Sequence, residues 1–195
     1  MLEFIKSRRS TRKFQDRPVP EELLSQVIEA GRYAPSGGNT QSTHLIVIQK
    51  PEVLDRLREL VQEGFRQKEE EPGMYPSIAN AIRRSKTGDY VFHYRAPVLI
   101  LTAHPKDGSN AIANCACILE NMMLMANALD LGSCWINQLR WLNEDPALLS
   151  LEKELGMKED ERVFGALALG FADTPDGLPV RTPLPRKGNE VTFVR

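Results

Sequence analysis

A chain of 195 residues, 42% hydrophobic and 26% charged, has enough apolar content for one domain with a full core. Its 25 Lys and Arg nearly balance 26 Asp and Glu, and a net charge of −1 argues against a nucleic-acid protein, which carries a strongly basic face. The three cysteines form no C-x-x-C pair and read as reduced thiols of a cytoplasmic protein, and His44, His93 and His104 lack metal-ligand spacing.

The opening Met1-Leu2-Glu3-Phe4-Ile5-Lys6 has neither a long apolar core nor a small-residue cleavage site, so no secretory signal is expected. Residues 2–8 read as a short helix and 11–20 as an extended connector ending in Arg17-Pro18-Val19-Pro20. Leu23, Leu24, Val27, Ile28 and Tyr33 recur at helical spacing over 20–33, with Pro20, Glu21 and Glu22 suited to the first turn. Ala34-Pro35-Ser36-Gly37-Gly38-Asn39 breaks that helix. The apolar run 45–48 predicts a buried strand, and Pro51 opens a helix to about Glu63. Residues 64–92, with the charge run 66–71 and breaks at Pro72-Gly73 and Pro76, read as a mobile lid of short helices.

A second buried strand is predicted at 97–102, and the longest helix at 109–130, apolar on more than one face and so central or interfacial. Asn114, Glu120, Asn121, Asn127 and Asp130 make that helix too polar to span a bilayer. A third strand is expected from Ser133 to Leu139, a helix from Pro146 to Leu155, and a fourth strand from Val163 to Leu169. After Gly170 the Pro- and Gly-rich tail cannot build a core of its own. It should lie extended over another surface, with Val191-Thr192-Phe193-Val194 able to join a sheet edge.

Four constellations carry chemistry. Arg8-Arg9-Ser10-Thr11-Arg12 packs three guanidiniums and two hydroxyls into five residues, within a segment 1–20 that holds six Lys or Arg against two acids. Such a cluster is either a solvated helix end or an anion grip, because guanidinium forks match phosphate oxygens bidentately. Gly37 and Gly38 allow close backbone approach to a planar ligand, while Asn39 and Gln41 each offer a donor and an acceptor for imide edges; the same stretch also suits a plain turn. The entrance to the strand at 132–137 is rich in small residues, and Arg186-Lys187 is a basic pair near the end. Together these suit a planar, phosphorylated heterocycle.

These residues resemble the FMN-dependent nitroreductase family. The resemblance rests on Arg8-Arg9-Ser10-x-Arg12-x-Phe14, on Pro18-Val19-Pro20-Glu21-Glu22-Leu23-Leu24, and on the run from Glu29 to Asn39 followed by Gln41. Gly132-Ser133-Cys134-Trp135-Ile136 and Pro185-Arg186-Lys187 fall in matching places. The implied fold is α+β, a three-layer sandwich in which helices cover both faces of a mixed, largely antiparallel sheet, in an intertwined homodimer. Strand–helix alternation alone would have suggested a parallel sheet.

The resemblance further implies two FMN sites at the subunit interface. Arg8, Arg9, Ser10 and Arg12 would hold the phosphate and the pyrimidine side, with Arg186 and Lys187 closing on them. Pro35, Ser36, Gly37, Asn39 and Gln41 would belong to the same site, with Pro35, Ser36 and Asn39 coming from the other subunit. Trp135, Ile136 and Asn137 would lie near the isoalloxazine ring, helix 109–130 would form much of the dimer core, and the tail would wrap the partner. The implied reaction is ping-pong: hydride from NADH or NADPH to the flavin, then reduction of a small-molecule acceptor such as a nitroaromatic or quinone. No side-chain acid is compelled, and neither nucleic acid nor membrane is an expected partner. Alternatives are another reaction of the same family, such as dehalogenation or enone reduction, and a non-catalytic flavin-binding dimer. Many relatives carry Pro-Trp after the Gln, whereas Gln41 here is followed by Ser42-Thr43.

Overall fold

A computed structural model describes residues 1–88 and 90–195. In chain order the helices are α1 (Leu2–Ser7), α2 (Glu21–Arg32), α3 (Pro51–Arg66), α4 (Pro76–Lys86), α5 (Ala111–Ala128), α6 (Gln138–Trp141) and α7 (Pro146–Glu154). The strands are β1 (His44–Ile48), β2 (Val98–Pro105), β3 (Gly132–Ile136) and β4 (Glu161–Gly170). They form one sheet in the order β1-β2-β4-β3, every neighbour antiparallel.

Two-helix connections explain the sense of the sheet. The chain leaves β1 through α3 and α4, and leaves β3 through α6 and α7. An even number of helical passes returns it antiparallel to β1 in β2, and to β3 in β4. The single helix α5 links β2 to β3, which run parallel to each other but are separated by β4. The largely antiparallel sheet implied by the resemblance is therefore present, its four strands all antiparallel to their neighbours rather than mixed, and the parallel one suggested by alternation is not.

Side chains alternate along the strands into two cores, giving three layers. On one face Leu99, Leu101, Ala103, Ala166 and Ala168 meet Leu54, Leu57, Val61 and Phe65 of α3, with Ile82 of α4 and Leu148 and Leu151 of α7. On the other, Val98, Ile100, Leu167 and Leu169 meet Leu24 and Val27 of α2 and Leu119, Met122 and Ala126 of α5. A Cβ on Gly31 would stand 2.8 Å from Met122 Cγ, so glycine lets α2 press against α5.

The stretch 64–92 contains more core than its charge run suggested. Phe65, Ala79, Ala81, Ile82, Tyr90 and Phe92 are buried there, and Phe65 meets Tyr90 and Trp141 edge-on. Asp89, in the same stretch, lies outside the described residues. Two expectations need correction. The third strand ends at Ile136 rather than 139, because Asn137 accepts a hydrogen bond from Trp135 Nε1 (2.8 Å) and gives its backbone N–H to Gln138 Oε1 (3.1 Å), turning the chain into α6. And α5 does reach the length and composition of a membrane span, 18 residues at mean hydropathy 1.2. Its polar residues have partners inside the protein: Asn114 accepts from Gly37 N–H, Asn121 donates to Ala30 O, and Asn127 donates to Ser7 Oγ.

Candidate functional site

The arginine cluster follows α1 and runs as an extended segment beside the outer edge of β3. Ser10 bridges Ser133 in parallel, and Thr11 N–H donates to Ser133 O at 2.8 Å. Gly132 permits this fit: a Cβ there would lie 2.8 Å from Thr11 Cβ. Further along, Phe14 bridges Ala172 beyond β4, so residues 8–14 seal that edge of the sheet.

Charge in this segment is poorly compensated. Arg8 has one carboxylate nearby, Glu120 on α5, at 4.0 Å, although its side chain is only 21% exposed. Arg9 donates to Thr182 O at 2.6 Å, which ties the tail to the cluster. Arg12 lies 6.0 Å from the Tyr94 ring centroid. Among the described residues, neither Arg9 nor Arg12 makes an ion pair. Buried Cys134 registers this field. Burial pushes its thiol pKa up, while Arg12, the Ser10 hydroxyl and Arg8 pull it down. Three guanidiniums and a hydroxyl, held against a rigid strand with one distant carboxylate, fit a phosphate-bearing anion.

The loop 34–41 is built differently. Asn39 N–H bonds to Ser36 O (2.9 Å), Gln41 N–H to Ser36 Oγ (3.0 Å), and Gln41 Nε2 to Asn39 Oδ1 (3.1 Å). Asn39 and Gln41 have positive φ, 53° and 48°, a conformation that costs about 1–3 kcal/mol each and recurs at ligand sites. Pro35, Asn39 and Gln41 line a cavity of about 470 Å3, and Ser36 and Gln41 border another of about 390 Å3.

One chain does not bring these halves together. Segment 8–12 lies along β3, whereas 34–41 leads into β1 at the opposite edge. Three strand spacings, about 14 Å, separate those edges. Ser133 is also level with Val98, five residues along β2 from Ala103, the partner of His44. The two segments therefore occupy diagonal corners of the sheet.

Of the remaining sequence-predicted residues, half-buried Trp135 lies over Gly165, where a Cβ would be 3.1 Å from its Nε1. Ile136 is buried in the α3-side core, and Asn137 is engaged with Trp135. Arg186 and Lys187 are exposed and hydrogen-bond to no described residue. Thr182 at Arg9 leaves Arg186 within four residues, about 14 Å of extended chain.

Sequence reasoning missed Tyr94 and Arg95. They follow one another with φ of 57° and 58° and, with Arg12, Lys13 and Phe14, line a cavity of about 350 Å3. Nothing in the local pattern marks them, since left-handed backbone at a tyrosine and an arginine is not encoded by residue type.

The Nitroreductase family model matches residues 5–171. A nitroreductase of Bacteroides fragilis, solved with bound FMN, superimposes with a TM-score of 0.87 at 31% identity, over 100% of this chain and 98% of that one. Nitrobenzene nitroreductase of Ectopseudomonas oleovorans is 28% identical over 201 residues, 88% of this chain and 86% of that protein. A protein of Archaeoglobus fulgidus provisionally named NADH dehydrogenase/NAD(P)H nitroreductase is 27% identical over 174 residues, 87% of this chain and 84% of its own length. The sheet order, the arginine edge and the extent of these matches agree: this chain belongs to the nitroreductase family.

Proposed function

We propose that the chain is an FMN-dependent NAD(P)H oxidoreductase that works as a homodimer on small-molecule acceptors such as nitroaromatics and quinones. The observation that carries this reading is the arginine edge at 8–12, cationic, part-buried and almost without carboxylate partners. FMN suits it, because a phosphate beside Arg8, Arg9 and Ser10 offsets the local charge and Arg12 is placed to favour an electron-rich pyrimidine edge. The bound flavin would supply the redox chemistry, taking a hydride equivalent from NADH or NADPH and passing the electrons to the acceptor.

The protein's own part is to orient and to enclose. Trp135 and Asn137 fix the shape of the wall at the end of β3. A two-fold partner would present its own loop 34–41 to the arginine edge, since an isologous interface pairs one corner of each chain with the other corner of its copy. Exposed Ile112 on α5, and Leu184, Val191 and Phe193 in the tail, supply apolar surface for such a contact. Glu120 beside Arg8 and Glu29 beside the loop cavity take no part in proton transfer; solvent delivers the protons. The reading is tested by colour and turnover. Purified protein should carry flavin absorbance and oxidise NADH or NADPH when a nitroaromatic or quinone is added. Protein that stays colourless with excess FMN refutes the cofactor, and flavin-loaded protein without turnover refutes the enzyme.

A further inference from the structure

Ser42 meets a buried polar chain. Ser42 Oγ lies 2.9 Å from His104 Nε2, and Asn114 Nδ2 lies 3.4 Å from the same nitrogen. His104 Nδ1 lies 3.1 Å from the Pro105 carbonyl, which can only accept. Nδ1 therefore carries the ring proton and Nε2 is the acceptor, in agreement with the amide donor facing it. The other end of the Asn114 amide, Oδ1, accepts from Gly37 N–H at 3.0 Å. His104 and Asn114 are 5% and 4% exposed, so the His104–Asn114 contact is made away from water, while the Ser42 bond is part-buried at the surface.

The loop 36–42 is thus gripped twice from below, at Gly37 through Asn114 and at Ser42 through His104. Both grips meet on one imidazole edge. Two glycines make room beside these contacts. A Cβ on Gly37 would stand 2.3 Å from Asn110 Nδ2, and one on Gly108 would stand 2.4 Å from His104 Cε1. Between the grips lie Gly38, Asn39 and Gln41, all with positive φ, so an unfavourable backbone is held by bonds anchored in the core. Beside Ser42, Thr43 Oγ1 approaches Cys115 Sγ at 4.0 Å, and that thiol points at Thr102 O (3.8 Å).

The geometry points to a Ser42–His104–Asn114 latch as the device that positions the half-site loop 36–41 for flavin. The inference rests on the flavin reading proposed above. Ser42, His104 and Asn114 act as positioning residues, setting the loop's conformation before the cofactor arrives and so its affinity.

The experiment compares Ser42→Ala, which removes the hydroxyl, with Ser42→Thr, which keeps it. Two readouts are used: FMN dissociation constants from flavin fluorescence, and hydrogen exchange at the Gly37 and Gln41 amides in flavin-free protein. Because Ser42 is exposed, Ser42→Ala should leave the melting temperature unchanged while weakening FMN about five- to tenfold, the worth of one hydrogen bond. Both amides should exchange faster, and Ser42→Thr should restore both properties. Unchanged exchange in Ser42→Ala, or a Ser42→Thr protein indistinguishable from it, overturns the latch. Wild-type protein that binds no FMN defeats the cofactor reading instead, and the exchange comparison then still decides whether the latch holds the loop.

Discussion

Glu152 gives the sharpest test of the packing. It sits on α7, wholly buried, and neither carboxyl oxygen has a hydrogen-bond partner among the described residues. Burial, with a smaller push from Asp145 and an opposing pull from Arg162, raises its pKa from the ordinary 4.5 to about 8. At neutral pH the folded protein keeps this proton while the unfolded chain has released it. The Glu152 contribution to stability is then fully present below the unfolded pKa and is lost as pH rises towards the folded one, by about 1.4 kcal/mol per pH unit. From pH 6.5 to 8 the loss comes to about 2 kcal/mol, or about 4–8 °C in melting temperature for a chain of this size. Glu152→Gln cannot ionise and should abolish that slope. Urea unfolding of flavin-free wild type and variant at pH 6.5, 7.2 and 8 measures the difference. Parallel slopes for the two proteins would show that the Glu152 carboxyl reaches solvent or a cation, contrary to its burial here.

Other expectations concern the site and the same α3-side core. His93 is 5% exposed, with both ring nitrogens unpartnered among the described residues; burial, opposed by Asp55, pushes its pKa down to about 4. It stays neutral in the fold, so stability should drop by about 1.4 kcal/mol per unit as pH falls from 6.5 towards 4. Acid unfolding of His93→Phe should lack that component. Arg12→Ala should weaken FMN by about 1.5–3 kcal/mol, read by fluorescence titration, because a hydrogen bond to a charged group is lost. Unchanged affinity would make Arg12 a solvated surface group. Gly132→Ala would drive a methyl into Thr11 and lift segment 8–12 from β3, at a cost of about 1–3 kcal/mol in thermal melts together with weaker flavin binding.

Most of the secondary structure was legible because it is local. Leu24 and Val27 mark the buried stripe of α2, and Leu45-Ile46-Val47-Ile48 predicts β1 to within a residue. The end of β3 was not legible, since a side-chain bond from Trp135 to Asn137 decides it. α4 was foreseen only as one of the short helices of 64–92, without bounds, because small residues, Ala79, Ala81 and Ser85, make much of its buried face and give little hydrophobic contrast. Sheet order depends on pairing between residues far apart in sequence. The motif at 8–12 was visible as a charge cluster, yet its seat against Ser133 lies more than 120 residues away. Asn114 beneath Gly37, 77 residues distant, left no mark in either segment.

The central claim is that the arginine edge at 8–12 and the loop 34–41, at diagonal corners of one chain, complete each other's flavin site across a two-fold interface. Native mass spectrometry of the protein reconstituted with FMN tests it in one measurement. The dominant species should hold two chains and two FMN, with flavin absent from single chains. FMN on a monomer, or a dimer that stays flavin-free at saturating FMN, would contradict the account.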